Sequence, residues 1–232
     1  MANNKEEVAG YYDQFSNHQT RLGVNIRHRT IFKNLKNCAL FSSANVLEIG
    51  CGIGTVSSLI IPAIPEGNFV GVDISPESIT LAKNRLSKYT NARFVVSDMS
   101  DFTSELKFDF IVLPDVLEHI PVEHHAALFL TLNLHSHEKT VILINIPEPY
   151  TLDWTRRNHP DRLQIIDQSL SLQDLCNNSY PSGYYLFSVT PYGLQYEHEE
   201  YLSIVLKRNQ PRMNVTPRSK FEKTVENLRS KL

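Results

Sequence analysis

The sequence predicts an α/β fold whose sheet is mainly parallel and covered by helices on both faces, and three observations predict it. Short apolar runs recur along the chain, each nearly unbroken rather than alternating, as strands buried on both faces require. Segments with helical spacing separate them, the order expected of crossover connections in a parallel sheet. Several of these runs end in a carboxylate, which would set acids side by side along one edge of that sheet.

Taken in order, a helical region over Glu6–Leu40 precedes strand one, Asn45–Ile49. That strand carries Glu48 and breaks into Gly50-Cys51-Gly52-Ile53-Gly54. Three glycines so close together give up packing and cost backbone entropy, so the turn serves close approach of main chain to a ligand. A helix over Thr55–Ile61 would point its free N–H groups back into the loop. Strand two, Phe69–Val72, ends in Asp73 and Ile74; Ser75 before Pro76 then caps a helix over Pro76–Tyr89. Strand three, Ala92–Ser97, ends in Asp98 and Met99, and strand four, Phe108–Leu113, runs through Pro114 to Asp115. A helix over Val122–His135 and strand five, Thr140–Ile146, follow. Pro147 to Tyr184 reads as an irregular insert with a helix through Leu163-Gln164-Ile165-Ile166. Two strands, Tyr185–Thr190 and Tyr201–Lys207, are joined by Pro191-Tyr192-Gly193 and a polar run. Beyond Arg208 the composition turns to Asn, Pro, Arg and Lys, so Asn209–Leu232 reads as a tail with a short amphipathic helix near Lys220–Leu228.

Composition narrows the class. A chain of 232 residues suits one α/β domain with additions. Three cysteines at irregular spacing form no disulfide framework or zinc pattern, which points to a reducing cytoplasm. Cys51 reads as a small packing residue rather than a nucleophile. Met1–Val8 is polar and charged, without signal-peptide character, and no apolar run approaches a membrane span. A net charge of −2 exerts no general pull on nucleic acid or anionic membrane, so neither is an expected partner.

The loop reads Glu-x-Gly-x-Gly-x-Gly, not the Gly-x-Gly-x-x-Gly of nicotinamide-binding domains, although Asp73 has the spacing of a ribose-binding acid. From about Tyr11 to Pro147 the sequence resembles the class I S-adenosylmethionine-dependent methyltransferases, of the small-molecule O-methyltransferase type. The resemblance implies a three-layer αβα fold with a seven-stranded, mainly parallel sheet and an antiparallel terminal strand. It also implies an N-terminal helical lid (1–40), a cofactor-binding domain (41–208, with the insert at 147–184) and a polar tail (209–232). In that family the residues matching Gly50, Gly52 and Gly54, with Cys51 between them, lie under the methionine part of S-adenosyl-L-methionine, and that matching Glu48 helps hold its ammonium. Asp73, with Ile74 beside it, would take the ribose hydroxyls, Asp98 the adenine amino group, and Met99 would pack on the ring. Asp115, at the end of strand four, would border the same cofactor.

Chemistry is then expected at Pro114-Asp115-Val116-Leu117-Glu118-His119-Ile120, where the methyl would emerge. Methyl transfer needs alignment and a deprotonated nucleophile, and His119, aided by Asp115, is the candidate base. Asp115, Glu118 and His119 also resemble an acid-x-x-Glu-His cluster that binds a divalent ion in some O-methyltransferases; Mg2+ or Mn2+ would suit it, with His159 as a further ligand. Leu113-Pro114-Asp115-Val116 lacks the Asn/Asp-Pro-Pro-Tyr segment used for base and amide N-methylation. The expected acceptor is a hydroxylated small molecule, a glycan or sugar nucleotide among them. The open alternatives are N-methylation of a small amine, a nicotinamide oxidoreductase and a catalytically silent partner subunit; a homodimer is compatible with each. Tyr11-Tyr12-Asp13-Gln14-Phe15, Arg21 and Arg27-His28-Arg29 suit a lid over the site. Tyr150, Trp154, Arg156, Arg157 and His159 would supply aromatic and cationic groups from the insert.

Overall fold

The structure, a computed structural model, describes residues 10–11, 23–210 and 216–229. Its framework comprises α1 (Ile26–Asn37), β1 (Val46–Ile49), α2 (Ser57–Ile60), β2 (Phe69–Asp73), α3 (Pro76–Arg85), β3 (Ala92–Val96), β4 (Phe108–Pro114), α4 (Val122–Leu134) and β5 (Ser136–Pro147). It continues with α5 (Pro149–Asn158), α6 (Leu172–Ser179), β6 (Tyr184–Tyr192), β7 (Tyr201–Arg208) and α7 (Lys220–Arg229). Seven strands form one sheet in the order β3-β2-β1-β4-β5-β7-β6. β1 to β5 pair in parallel, and β7 runs antiparallel to both β5 and β6. This is the class I methyltransferase topology that the resemblance implied.

The pleat divides the strand side chains between two cores. In β4, Ile111 and Leu113 join the layer with Leu128, Phe129 and Leu132 of α4, while Phe110 and Val112 join the layer with Ile31, Leu35, Ile60 and Ile79. Both faces are therefore apolar, which is why the strands read as unbroken runs. Truncating a fully buried member such as Ile111 to alanine would cost about 2–5 kcal/mol. Parallel pairing brings the C-terminal ends of β1, β2, β3 and β4 to one edge, where the acids expected at the site, Glu48, Asp73, Asp98 and Asp115, also fall.

Several boundaries differ from expectation. α2 starts at Ser57 rather than Thr55 and lasts one turn before a 3-10 turn at Ile61–Ala63, because Pro62 removes a backbone donor. α3 ends at Arg85, and β5 begins at Ser136, not Thr140. Leu163–Ile166 is not helical: Gln164 N–H is taken by the Asp167 carboxylate (2.6 Å) and Ile166 C=O meets His119 Nδ1 (2.6 Å), so this backbone bonds outward. The helices of this region flank it instead. Glu148 caps α5 through Thr151 N–H, and Ser171 caps α6 through Asp174 N–H. Tyr12, Asp13, Gln14, Phe15 and Arg21, together with Met1–Val8, lie outside the described residues. No helix among the described residues is long and apolar enough to cross a membrane.

Candidate active site

A cavity of about 720 Å3 opens at the C-terminal edge of the sheet. On one side it is lined by Glu48, the glycine loop, Asp73, Ile74, Asp98 and Met99. Gly50, Gly52 and Gly54 all adopt left-handed backbone (φ 67°, 51° and 79°). At Gly50 a Cβ would lie 1.9 Å from Val116 Cγ2, so only glycine lets β1 turn beside the end of β4. Cys51 is buried with its thiol pushed up by that burial, consistent with packing and not with nucleophilic chemistry.

The acids on this side are fixed by short bonds. Asp73 receives Gly52 N–H on Oδ2 (2.8 Å) and Ser75 N–H on Oδ1 (2.9 Å), joining the glycine loop to the start of α3. Asp98 Oδ1 accepts from Ser100 N–H (2.9 Å) and its hydroxyl (2.5 Å). Glu48 is buried and accepts from the Ser57 hydroxyl (2.7 Å); burial pushes its carboxyl up to about 8 against that bond. Met99 holds a left-handed backbone (φ 72°) at the cavity wall, as does Asp115 (φ 55°), and strain of this kind gathers at ligand sites.

On the other side stand the groups expected to do chemistry. Asp115 N–H donates to Asn145 C=O (2.9 Å), and its Oδ2 lies 3.2 Å from Arg27 Nε on α1. Arg27 in turn sits over the Tyr201 ring and donates to its hydroxyl (3.4 Å), and Tyr201 stacks on Tyr192. Glu118 is only 1% exposed, and its carboxyl is raised by burial although His119 opposes the shift. His119 Nδ1 meets Ile166 C=O (2.6 Å) and Asp167 Oδ1 (3.1 Å), while Nε2 is 3.8 Å from Glu118 Oε1. Both partners of Nδ1 are acceptors, which assigns the proton to Nδ1 and leaves Nε2 as the nitrogen that titrates. Burial alone would lower this imidazole, but the charges of Glu118 and Asp167 and the hydrogen bonds lift it to about 9.

The metal centre expected from Asp115, Glu118 and His119 is not assembled. Among the described residues no group of three or more His, Cys, Asp or Glu side chains is disposed to hold an ion. Asp115 is drawn to Arg27 and His119 to Asp167, so the cluster is neutralised by its own partners. His159 packs against the Trp154 ring, 5.2 Å between centroids.

Reading the sequence missed Asp167, Gln164, Arg162, Tyr196, Glu200 and Tyr201, all of which line the cavity. Asp167 is held in place by a loop that Arg156 ties down, donating to Asp167 C=O (2.7 Å), Ser169 Oγ and Asp153. Arg156 therefore braces the insert and is not among the residues that line the cavity. Tyr150 and Arg157 are exposed, and Arg29 points to solvent from α1. His28, next to Arg27, accepts Asn25 N–H at Nδ1 and is lowered to about 4 by burial and by Arg27. Tyr11 senses Asp167: burial, then that charge, raises its hydroxyl.

Comparison with known proteins bears on this geometry. A family model described as a methyltransferase domain matches residues 24–226. Among curated proteins, the chain is 37% identical over 67 residues to malonyl-acyl-carrier-protein O-methyltransferase 1 of Ilyobacter polytropus, 29% of this chain and 25% of that protein. It is 35% identical over 77 residues to nodulation protein S of Rhizobium tropici, 33% of this chain and 32% of that protein. The chain thus spans about a quarter to a third of the length of these two relatives. Among solved structures it resembles magnesium protoporphyrin IX methyltransferase (ChlM) of Synechocystis PCC 6803 with bound SAH, with a TM-score of 0.68 at 18% identity, covering 87% of this chain and 99% of that one.

Proposed function

The chain belongs to the methyltransferase-domain family, whose class I S-adenosylmethionine-dependent fold it has, and from that premise we propose that it transfers a methyl group to a hydroxyl of a small molecule. The residues present fit the cofactor by the chemistry of their donor set. S-adenosylmethionine is a cation bearing an ammonium, a vicinal diol and an amino-substituted base, and one wall of the cavity offers Glu48, Asp73 and Asp98 beside a glycine cradle that a Cβ would fill. Glu48 would hold the amino-acid end, with Gly50, Cys51, Gly52 and Gly54 as the floor. Asp73 with Ile74 would take the ribose edge, and Asp98 with Met99 the adenine. When bound, the cofactor supplies a methyl group on a cationic sulfonium.

The rest is done by this chain's own groups. Asp115 ends β4 on the floor between the two halves of the cavity, and its ion pair with Arg27 limits how far it can shift. His119 Nε2 is the proton acceptor for the hydroxyl, since Nδ1 is committed to Ile166 and Asp167. Asp167 orients the ring and stabilises the imidazolium that forms, the role of a buried acid behind a catalytic histidine. Arg27, Tyr201 and the insert wall the acceptor half from solvent.

The single observation that carries the hydroxyl reading is the His119–Asp167 contact, because a hydroxyl must lose its proton whereas a neutral amine attacks without a base. Calorimetry with S-adenosylhomocysteine and with NADH, followed by methyl-transfer assays on hydroxylated and amine acceptors, tests it. Binding of S-adenosylhomocysteine and not NADH, with O-methylated product, is the expected result. NADH binding alone overturns the cofactor, methylated amine alone overturns the hydroxyl, and cofactor binding without turnover of any acceptor favours a silent partner subunit.

A further inference from the structure

The acceptor half of the cavity contains a set of polar atoms that the fold leaves unpaired. Among the described residues, seven buried side-chain atoms have no hydrogen-bond partner, and three of them are oxygens of residues lining this cavity that take part in no ion pair: Asp115 Oδ1, Glu118 Oε2 and Gln164 Oε1. Each such atom costs about 1–3 kcal/mol while unpaired, so their gathering in one place marks where a ligand makes bonds. All three are oxygens, so the matching guest is rich in hydrogen-bond donors. A carboxylate guest would meet Asp115 and would add acceptors where acceptors are already in excess.

Between the two donor-rich classes, polyol and amine, the Arg27–Asp115 pair, the buried Glu118 and the aromatic rim together favour the polyol. Glu118 is 1% exposed with Oε2 unpaired, and burial raises its carboxyl, which favours a guest that both donates and accepts over a cation. A hydroxyl has the same double character, whereas an ammonium requires a charged partner. Arg27 already sits on Asp115, so that carboxylate too is matched in charge and has hydrogen-bonding capacity left only on Oδ1.

A second feature comes from the rim. Tyr196 lines the cavity and is fixed from below, its N–H and that of Gln195 bound by the Glu200 carboxylate (3.0 and 2.8 Å) and its hydroxyl accepting from Arg162 (3.2 Å). Trp154 meets it edge-on (6.3 Å, 73°) and His198 stacks on it (5.4 Å, 12°). Trp154 and Tyr196 are nevertheless each 41% exposed, so part of this aromatic group has no protein cover. Saturated rings with hydroxyls at the edge present C–H bonds on their faces, and such faces lie well on aromatic surfaces.

We propose that the acceptor is a polyhydroxylated ring, a sugar or cyclitol, with hydroxyls on Asp115, Glu118 and Gln164 and a C–H face on Tyr196. This assignment rests on the methyltransferase reading above and names the substrate class for the same cavity. Trp154 is the only tryptophan of the chain, so its emission reports on the rim directly.

The test uses the full chain with S-adenosylhomocysteine at neutral pH, titrated with myo-inositol and a set of methyl glycosides while Trp154 emission is followed, with malonate and ethanolamine as comparison ligands. The same panel is offered for methyl transfer. The expected result is a saturable emission change and O-methylated product with at least one polyol. Gln164→Leu and Tyr196→Ala should each raise that polyol's KM at least about tenfold while S-adenosylhomocysteine affinity stays within about twofold, and Tyr196→Phe should behave as wild type. Because Tyr196 is on the rim, its variants test the idea even if Gln164→Leu fails to fold. Turnover of malonate or ethanolamine alone, silence of every polyol although S-adenosylhomocysteine binds, or an unchanged KM in Tyr196→Ala would each overturn the assignment. Failure to bind S-adenosylhomocysteine would overturn the methyltransferase reading itself, and the polyol with it.

Discussion

Arg27 Nε lies 3.2 Å from Asp115 Oδ2, tying the first turn of α1 to the end of β4 across 88 positions of sequence. The pair joins the helix that precedes the sheet to the strand end where chemistry is expected. Arg27→Met should leave Asp115 buried without its cation and destabilise the protein by about 1–3 kcal/mol, less than a fully buried pair because the arginine is partly exposed. The urea midpoint measures this. Arg27→Met with Asp115→Asn should recover most of the loss, and a double variant as unstable as the single one would show that the pairing was not the cause.

Gly50→Ala should damage the cofactor half specifically. The left-handed backbone costs a non-glycine residue roughly 1–2 kcal/mol. The new Cβ would also collide with Val116 Cγ2, so the loop and the end of β4 must separate. S-adenosylhomocysteine affinity should fall at least about tenfold by calorimetry. Adding Val116→Ala removes the collision but not the backbone cost, so only part of the affinity should return.

Much of this was legible in the sequence, and the reason is physical. Strands buried on both faces leave apolar runs that need no partner to be recognised, and the ends of β1 to β4 carried Glu48, Asp73, Asp98 and Asp115 in readable order. The insert was less legible. Leu163-Gln164-Ile165-Ile166 has the look of a helical turn, but its backbone is claimed by His119 and Asp167, partners distant or unsuspected in sequence. α6 was not anticipated, although Ser171-Leu172-Gln173-Asp174, a side-chain cap with an acid at the third helical position, is a helix-start pattern. Asp167 gave no local sign, because its role depends on a loop folding back over the turn after β4. Spacing likewise places Asp115, Glu118 and His119 near one another but says nothing of the Arg27 and Asp167 that pair with two of them, so no ligand set is assembled among the described residues.

Asp167→Asn should shift the pH dependence of turnover downward. His119 acts as base only when Nε2 is deprotonated, and its pKa is raised to about 9, so kcat/KM should climb with pH and level off near that value. Removing the Asp167 charge removes a contribution that favours imidazolium, so the folded pKa falls and the plateau arrives at lower pH. A raised histidine pKa stabilises the fold most fully below the unfolded value of 6.5, and that contribution is lost as pH rises through about 9. Asp167→Asn should therefore lose stability mainly on the acid side of this window. A pH–rate profile identical to wild type would remove Asp167 from the mechanism.

His119→Ala and the strand-end acids should separate chemistry from binding. Asp73 anchors both the glycine loop and the start of α3 through N–H bonds to its two oxygens. Asp73→Asn sets an amide NH2 against one of those donors, so it should cost the fold about 1–3 kcal/mol and weaken S-adenosylhomocysteine at least about tenfold. Asp98 accepts from the N–H and hydroxyl of nearby Ser100, and Asp98→Ala should weaken binding of free adenosine and of S-adenosylhomocysteine by the same factor. His119→Ala should leave both affinities within about twofold and lower kcat by about 100-fold or more, the usual reach of a general base. Calorimetry with the two ligands beside steady-state kinetics distinguishes the three patterns, and a His119→Ala enzyme that lost cofactor affinity as Asp98→Ala does would merge the two halves of the cavity into one binding function.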